Sequence, residues 1–279
     1  MTEAVKILTF VDLMFIILLM LSGSVGGYAG EIVYYLAFVL PILVGFYPSL
    51  PLKRKREEIS GVAEKPDNLL LFNLNSGKMI LPLIAPFVTV IFTVSLLTSL
   101  ILSLFGVSTP PVTDVGLLRM LLVHAVVPAF FEEMLFRYIP MKLLLPYSRR
   151  YCVIYSALCF ALIHCSFTQM PYAFVAGVLF MLIDVAFESI WPSVILHFIN
   201  NAASVVWIKC SGNSLSMWVF VAVLFGLAVI SVPFIYRKRR EYLPLLKSSF
   251  EKGEVGKLTY APFTLVVVCC YVAFANLFS

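Results

Sequence analysis

The chain has 279 residues, of which 61% are hydrophobic and only 13% charged, with a net charge of +5 and a mean hydropathy of +1.00. A soluble globular domain is about 45–50% apolar and about 25% charged, so soluble, disordered, fibrous and nucleic-acid-binding classes are excluded. The positive charge is clustered between apolar runs, where lipid headgroups rather than nucleic acid are its partner.

Apolar runs longer than the roughly 18 residues that mark a bilayer-spanning helix recur along the chain. Hydropathy predicts nine spans, at 7–25, 32–50, 79–105, 116–146, 151–167, 171–187, 190–209, 215–236 and 261–278. The first follows Lys6 and is read as an anchor rather than a cleaved signal, because so many spans come after it. The expected fold is all-α, a polytopic transmembrane helical bundle of eight or nine spans with a cytoplasmic N-terminus, forming a single membrane domain over 1–279. With that topology seventeen of the twenty Lys and Arg residues fall on the cytoplasmic side, as the positive-inside rule requires. Most lie in two basic segments, 51–78 and 237–260, expected to be solvated loops against anionic lipid. The six cysteines lack CxxC spacing and sit mostly in apolar stretches, so they form neither a disulfide framework nor a zinc knuckle.

An ionisable side chain near the bilayer centre costs on the order of 2.5–3.5 kcal/mol on insertion scales, so each needs a reason to be there. In Phe131-Glu132-Glu133-Met134-Leu135-Phe136-Arg137, helical spacing places Glu133 and Arg137 on one face as an ion pair. Glu132 points about 100° away, leaving one carboxylate neutralised and one free, which is how adjacent acids acquire different roles. A purely structural charge network is the competing reading. Pro128, four residues before Glu132, removes a backbone hydrogen bond and marks a position for a kink.

His164 ends Phe160-Ala161-Leu162-Ile163-His164 and shares a helix face with Phe160; such a histidine can also serve as an interhelical hydrogen-bonding residue. In His197-Phe198-Ile199-Asn200-Asn201, the imidazole of His197 and the carboxamide of Asn201 stack at i, i+4, a donor pair suited to an oxyanion. With about 1.5 Å of rise per residue, the three motifs can converge near mid-membrane or somewhat cytoplasmic of it. Asp12, His124 and Asp184 complete the buried polar set, and helix packing is the expected role for His124 and Asp184.

Glu-Glu-x-x-x-Arg, Phe-x-x-x-His and His-x-x-x-Asn, in this order on successive apolar helices, resemble the CAAX-protease and bacteriocin-processing family of intramembrane glutamic endopeptidases. The resemblance covers 116–205, read as the catalytic core. It implies that Glu132 is the general base that activates a water, that His164 helps to hold that water, that Glu133 and Arg137 fix the geometry, and that His197 and Asn201 stabilise the oxyanion. It implies no cofactor, and a membrane-anchored peptide or protein as substrate, either a CaaX-type tail or a peptide leader. A cysteine nucleophile at Cys165 is disfavoured, because adjacent helical residues diverge by about 100° and His164 is poorly placed to deprotonate it.

Other readings stay open on the residues alone. His164, His197 and one glutamate make the two-histidine, one-carboxylate set of catalytic zinc sites, although His-Glu-x-x-His is missing. A non-catalytic immunity factor or adaptor on the same helices, or a transporter using the buried acids for proton coupling, are the alternatives of a different class. Short termini without a targeting signal fit a prokaryotic plasma membrane.

Overall fold

The computed structural model describes residues 2–25, 27–60, 69–71, 74–106, 116–164 and 166–249. The ninth expected span at 261–278, the end of the second basic segment and Cys165 lie outside the described residues. Every regular element among the described residues is helical. Helices α1 (Thr2–Val25), α2 (Gly27–Ser60) and α3 (Leu74–Ser103) come first, and α8 (Met170–Phe187), α9 (Trp191–Cys210) and α10 (Ser214–Ser249) close the described chain. These six are long and apolar enough to cross a membrane. The protein is a multi-pass integral membrane protein. On α10 Leu215, Trp218, Phe225 and Ile230 are exposed, as they must be if lipid rather than protein covers that helix.

The basic runs differ from expectation. Lys53 to Arg56 belong to α2, and Arg237 to Arg240 belong to α10. Arg, Lys, Glu and Leu are all good helix formers, so the helices continue through the charge rather than giving way to loop.

The fourth expected span is one unbroken helical path of unequal pitch. It runs through α4 (Leu117–Leu121), a π-helical turn at Leu122–Val126, α5 (Val127–Glu133), a second π-helical turn at Met134–Tyr138, and α6 (Ile139–Leu144). Each π turn ends two residues before a proline, Pro128 and Pro140. Proline cannot donate to the carbonyl four residues back, and its ring crowds that carbonyl. The wider turn accommodates both effects where a simple kink was expected. The carbonyl that Pro140 leaves without an α-helical donor is that of Phe136. It accepts from the Ser156 hydroxyl and from Arg137 Nη1 at 3.3 Å, which ties this path to the next helix.

That helix, α7 (Arg149–Leu162), is only 14 residues long, or about 21 Å. The expected fifth span to 167 is therefore too long. Chain reversal begins at Ile163, where His164 N–H turns back to the Ala161 carbonyl at 3.3 Å. Ser148 caps the other end, its hydroxyl accepting from Tyr151 N–H. α7 and α8 form a close hairpin: a Cβ on Gly177 would stand 2.9 Å from the Ala157 Cα, so only glycine permits this backbone approach.

α1 is tied to α7 by Asp12, whose Oδ2 accepts from the Tyr155 hydroxyl and lies 3.7 Å from Cys159 Sγ. The tight corner between α8 and α9 ends α8 in the left-handed region at Glu188, with φ of 51°. Three successive carbonyls of the α2–α3 connection brace this corner. Leu69 O accepts from Ile190 N–H at 3.0 Å, Leu70 O from Trp191 Nε1–H at 2.8 Å, and Leu71 O from the Ser189 hydroxyl at 3.2 Å.

Candidate active site

The two adjacent glutamates leave the end of α5 in different directions and find different company. Glu133 is fully buried, and its Oε2 lies 3.1 Å from Arg137 Nε, which is fully buried too. The pair is ionic by distance, although the N–H does not point squarely at the oxygen. Arg137 also donates through Nη1 to Ser156 Oγ at 3.2 Å. Its guanidinium carbon sits 4.4 Å from the centre of the Phe160 ring and 5.3 Å from that of Phe180. Two aromatic faces therefore share the work of holding a cation away from water.

His197, one face of α9, reaches across to both acids. Its Nδ1 is 2.7 Å from Glu133 Oε1 and its Nε2 is 3.8 Å from Glu132 Oε2. The first distance is a hydrogen bond. The second is beyond one, yet short enough for a single small oxygen ligand to touch both groups. The imidazole is stacked on Phe180 at 5.3 Å between ring centres and met edge-on by Phe160 at 5.6 Å. With the ring clamped on both sides and Nδ1 engaged by Glu133, Nε2 is the nitrogen that faces Glu132.

His164 lies just beyond the end of α7 rather than within it. Its Nδ1 is 2.8 Å from the Phe160 carbonyl. A carbonyl only accepts, so Nδ1 carries the hydrogen, and in the neutral ring Nε2 presents a lone pair. The bond also satisfies one of the four carbonyls that a helix C-terminus leaves open. The Phe160 ring touches His164 at 5.1 Å as well as His197, so this one aromatic residue separates and spaces the two histidines.

Asn201, one turn beyond His197, is half-buried, and its Oδ1 accepts from Asn200 Nδ2 at 3.3 Å. Glu132, Glu133, Arg137 and His197 are thus brought into one contiguous cluster, His164 joins it through Phe160, and Asn201 borders it on α9. His124 is exposed and takes no part. Among the described residues no three His, Cys, Asp or Glu side chains stand together in a way that could hold a metal ion.

Sequence spacing correctly separated the two glutamates but missed the Glu133–His197 contact and the aromatic clamp. Both join residues from distant parts of the chain, and nothing in the local spacing encodes them. Phe180 could have been found only as an aromatic on the helix preceding the third motif, a weak signal in so apolar a sequence.

Residues 114–203 match the family model described as Type II CAAX prenyl endopeptidase Rce1-like. The matched stretch is about a third of the chain and contains all six of these residues. The resemblance to the CAAX-protease and bacteriocin-processing family, drawn from three short motifs, is supported over that stretch. No curated protein and no solved structure matches the chain.

Proposed function

We propose that the protein is an intramembrane endopeptidase that hydrolyses a peptide bond with a glutamate-activated water and no metal ion. The observation that carries this reading is the inequivalence of the two carboxylates. Glu133 is engaged by Arg137 and by His197 Nδ1, whereas Glu132 lies 3.8 Å from the far nitrogen of the same imidazole, beyond a hydrogen bond. One acid is structural and the other is free to work.

In this mechanism Glu132 takes a proton from a water that also donates to the His164 Nε2 lone pair. The hydroxide so formed attacks the scissile carbonyl carbon. The Nε2 edge of His197, which Glu133 leaves unengaged, and Asn201 Nδ2–H receive the negative oxygen of the tetrahedral intermediate. Collapse breaks the C–N bond, and the leaving amine takes the proton from Glu132, returning the base for the next turnover. Glu133 and Arg137 keep the cluster rigid throughout, and Phe160 and Phe180 keep the imidazole from rotating.

The substrate we assign is a membrane-anchored polypeptide, with a prenylated CaaX-type tail as the first candidate because the matching family model is that of a CAAX prenyl endopeptidase, and a peptide leader as the second. A prokaryotic plasma membrane is the proposed location. A mass-spectrometric comparison of peptide termini in cells expressing the wild type or Glu132→Gln tests the function. Termini present only with the wild type establish the peptidase and its cleavage site. Identical termini at equal levels of folded protein would transfer the fold to a non-catalytic or transport role.

A further inference from the structure

Asp184, on the last turns of α8, is fully buried and does not touch the acid–histidine cluster directly in any hydrogen bond. It is nevertheless placed to set that cluster's geometry. Its main-chain carbonyl accepts from Glu188 N–H at the left-handed end of α8 and from Ser189 N–H at 3.2 Å. Its side-chain Oδ1 crosses the corner and accepts from Ser193 N–H at 3.0 Å. Ser193 lies in the first turn of α9, where backbone N–H groups have no partner within the helix.

Trp191 and Pro192 precede it, and α9 has no side-chain cap of its own at Ile190. Ser189 Oγ accepts from Trp191 N–H at 3.3 Å, and Asp184 supplies from the neighbouring helix the acceptor for Ser193 N–H, two residues further into the turn. Its other oxygen, Oδ2, is buried with no hydrogen-bond partner among the described groups, so the bond to Ser193 is the one the carboxyl is placed to make. Ser193 also donates through its hydroxyl to the Ile190 carbonyl at 2.8 Å, which holds the same turn from the other side.

His197 is one turn beyond Ser193 on the same helix. A shift or rotation of the start of α9 would move its two nitrogens relative to Glu133 and Glu132 together. From this geometry we infer that Asp184 is a positioning residue of the reaction, acting through the Ser193 N–H to set the depth and rotation of α9 so that His197 spans the two glutamates. The inference deepens the peptidase reading and rests on it for its kinetic consequence. Its structural content concerns the start of α9 and is read at His197.

The test uses the full-length protein labelled with 15N-histidine. With three histidines in the chain, His197→Gln assigns the His197 resonances, and cleavage is followed on a farnesylated peptide with a CaaX end in liposomes. Asp184→Asn keeps an acceptor oxygen at the same reach. It is expected to preserve the His197 ring-nitrogen shifts and a kcat within about threefold of wild type. Asp184→Glu keeps the charge but displaces the acceptor by one methylene. It is expected to move the His197 shifts and lower kcat by about 10-fold or more, with KM little changed, as misplacement of a catalytic group does.

If Asp184→Glu does not fold, Asp184→Ser takes its place, being too short to reach Ser193. The inference is overturned if Asp184→Asn falls as far as Asp184→Glu, or if the His197 shifts are indifferent to moving the acceptor. Absence of any cleavage that depends on Glu132 would count against the peptidase reading instead, and the histidine spectra would then decide the positioning role by themselves.

Discussion

Glu133 and His197, sixty-four residues apart in sequence, are joined by a 2.7 Å hydrogen bond between α5 and α9. The same carboxylate faces Arg137, so it is the point at which two motifs become one structure. Glu133→Ala leaves the guanidinium buried without its carboxylate and frees the imidazole. A loss of about 3–5 kcal/mol is expected for breaking such a pair. Thermal unfolding in a fixed detergent, with wild type alongside, reads it directly. A variant as stable as wild type would show that the ion pair contributes little.

Glu132 has the opposite signature. Its contact with His197 Nε2, at 3.8 Å, is longer than a hydrogen bond, and glutamine keeps an oxygen there, so Glu132→Gln is expected to fold like the wild type while turnover drops by a factor on the order of 10² or more, as for loss of a general base. Substantial cleavage by a folded Glu132→Gln protein would eliminate Glu132 as the base.

His164→Ala and His197→Ala are each expected to lower turnover by about 10² or more, but they should differ in stability. His197 is clamped between Phe160 and Phe180 and bonded to Glu133, whereas the His164 ring sits at a helix end against a backbone carbonyl and the edge of one aromatic ring. Parallel melting curves should therefore show the larger drop for His197→Ala. The reverse order would contradict the packing described above.

Ser156 and Pro140 form a testable pair. The Ser156 hydroxyl accepts from Arg137 and donates to the Phe136 carbonyl that Pro140 cannot serve. Ser156→Ala should cost about 1 kcal/mol, the net value of a lost hydrogen bond, since Arg137 Nη1 still reaches the carbonyl. Pro140→Ala restores a backbone N–H and should recover part of that loss, so the two changes combine non-additively. Strictly additive effects would mean that the carbonyl does not link them.

For the metal-free mechanism, prolonged chelation followed by dialysis is expected to leave cleavage unchanged. Elemental analysis of the purified protein should find no zinc in stoichiometric amount. Activity that is lost with the metal and restored by adding zinc would replace the proposed mechanism with a metallopeptidase.

The positions of the apolar helices were legible in the sequence because a membrane helix is a long uninterrupted signal. So was the split between Glu132 and Glu133, which follows from helical spacing alone. The early end of α7 was not, since Ile163 and Phe167 carry apolar character past Leu162 and the helix stops through a histidine-to-carbonyl bond rather than a glycine or proline. The prolines at 128 and 140 were visible, but the widened turns they impose were not. Asp184 looked like a packing residue because its acceptor role requires two helices to meet at a corner. There the hidden element is a contact between segments, which no local pattern carries.

The shortness of α7 bears on where the reacting water comes from. A helix of about 21 Å is shorter than a hydrocarbon layer of about 30 Å, so if α7 starts at one face of the layer, the turn at Ile163 and His164 comes before the other. Irregular backbone is tolerated there only if it is enclosed by protein or wetted by a cavity. In the proposed mechanism a wetted cavity at this turn would be the source of the water that His164 and Glu132 share.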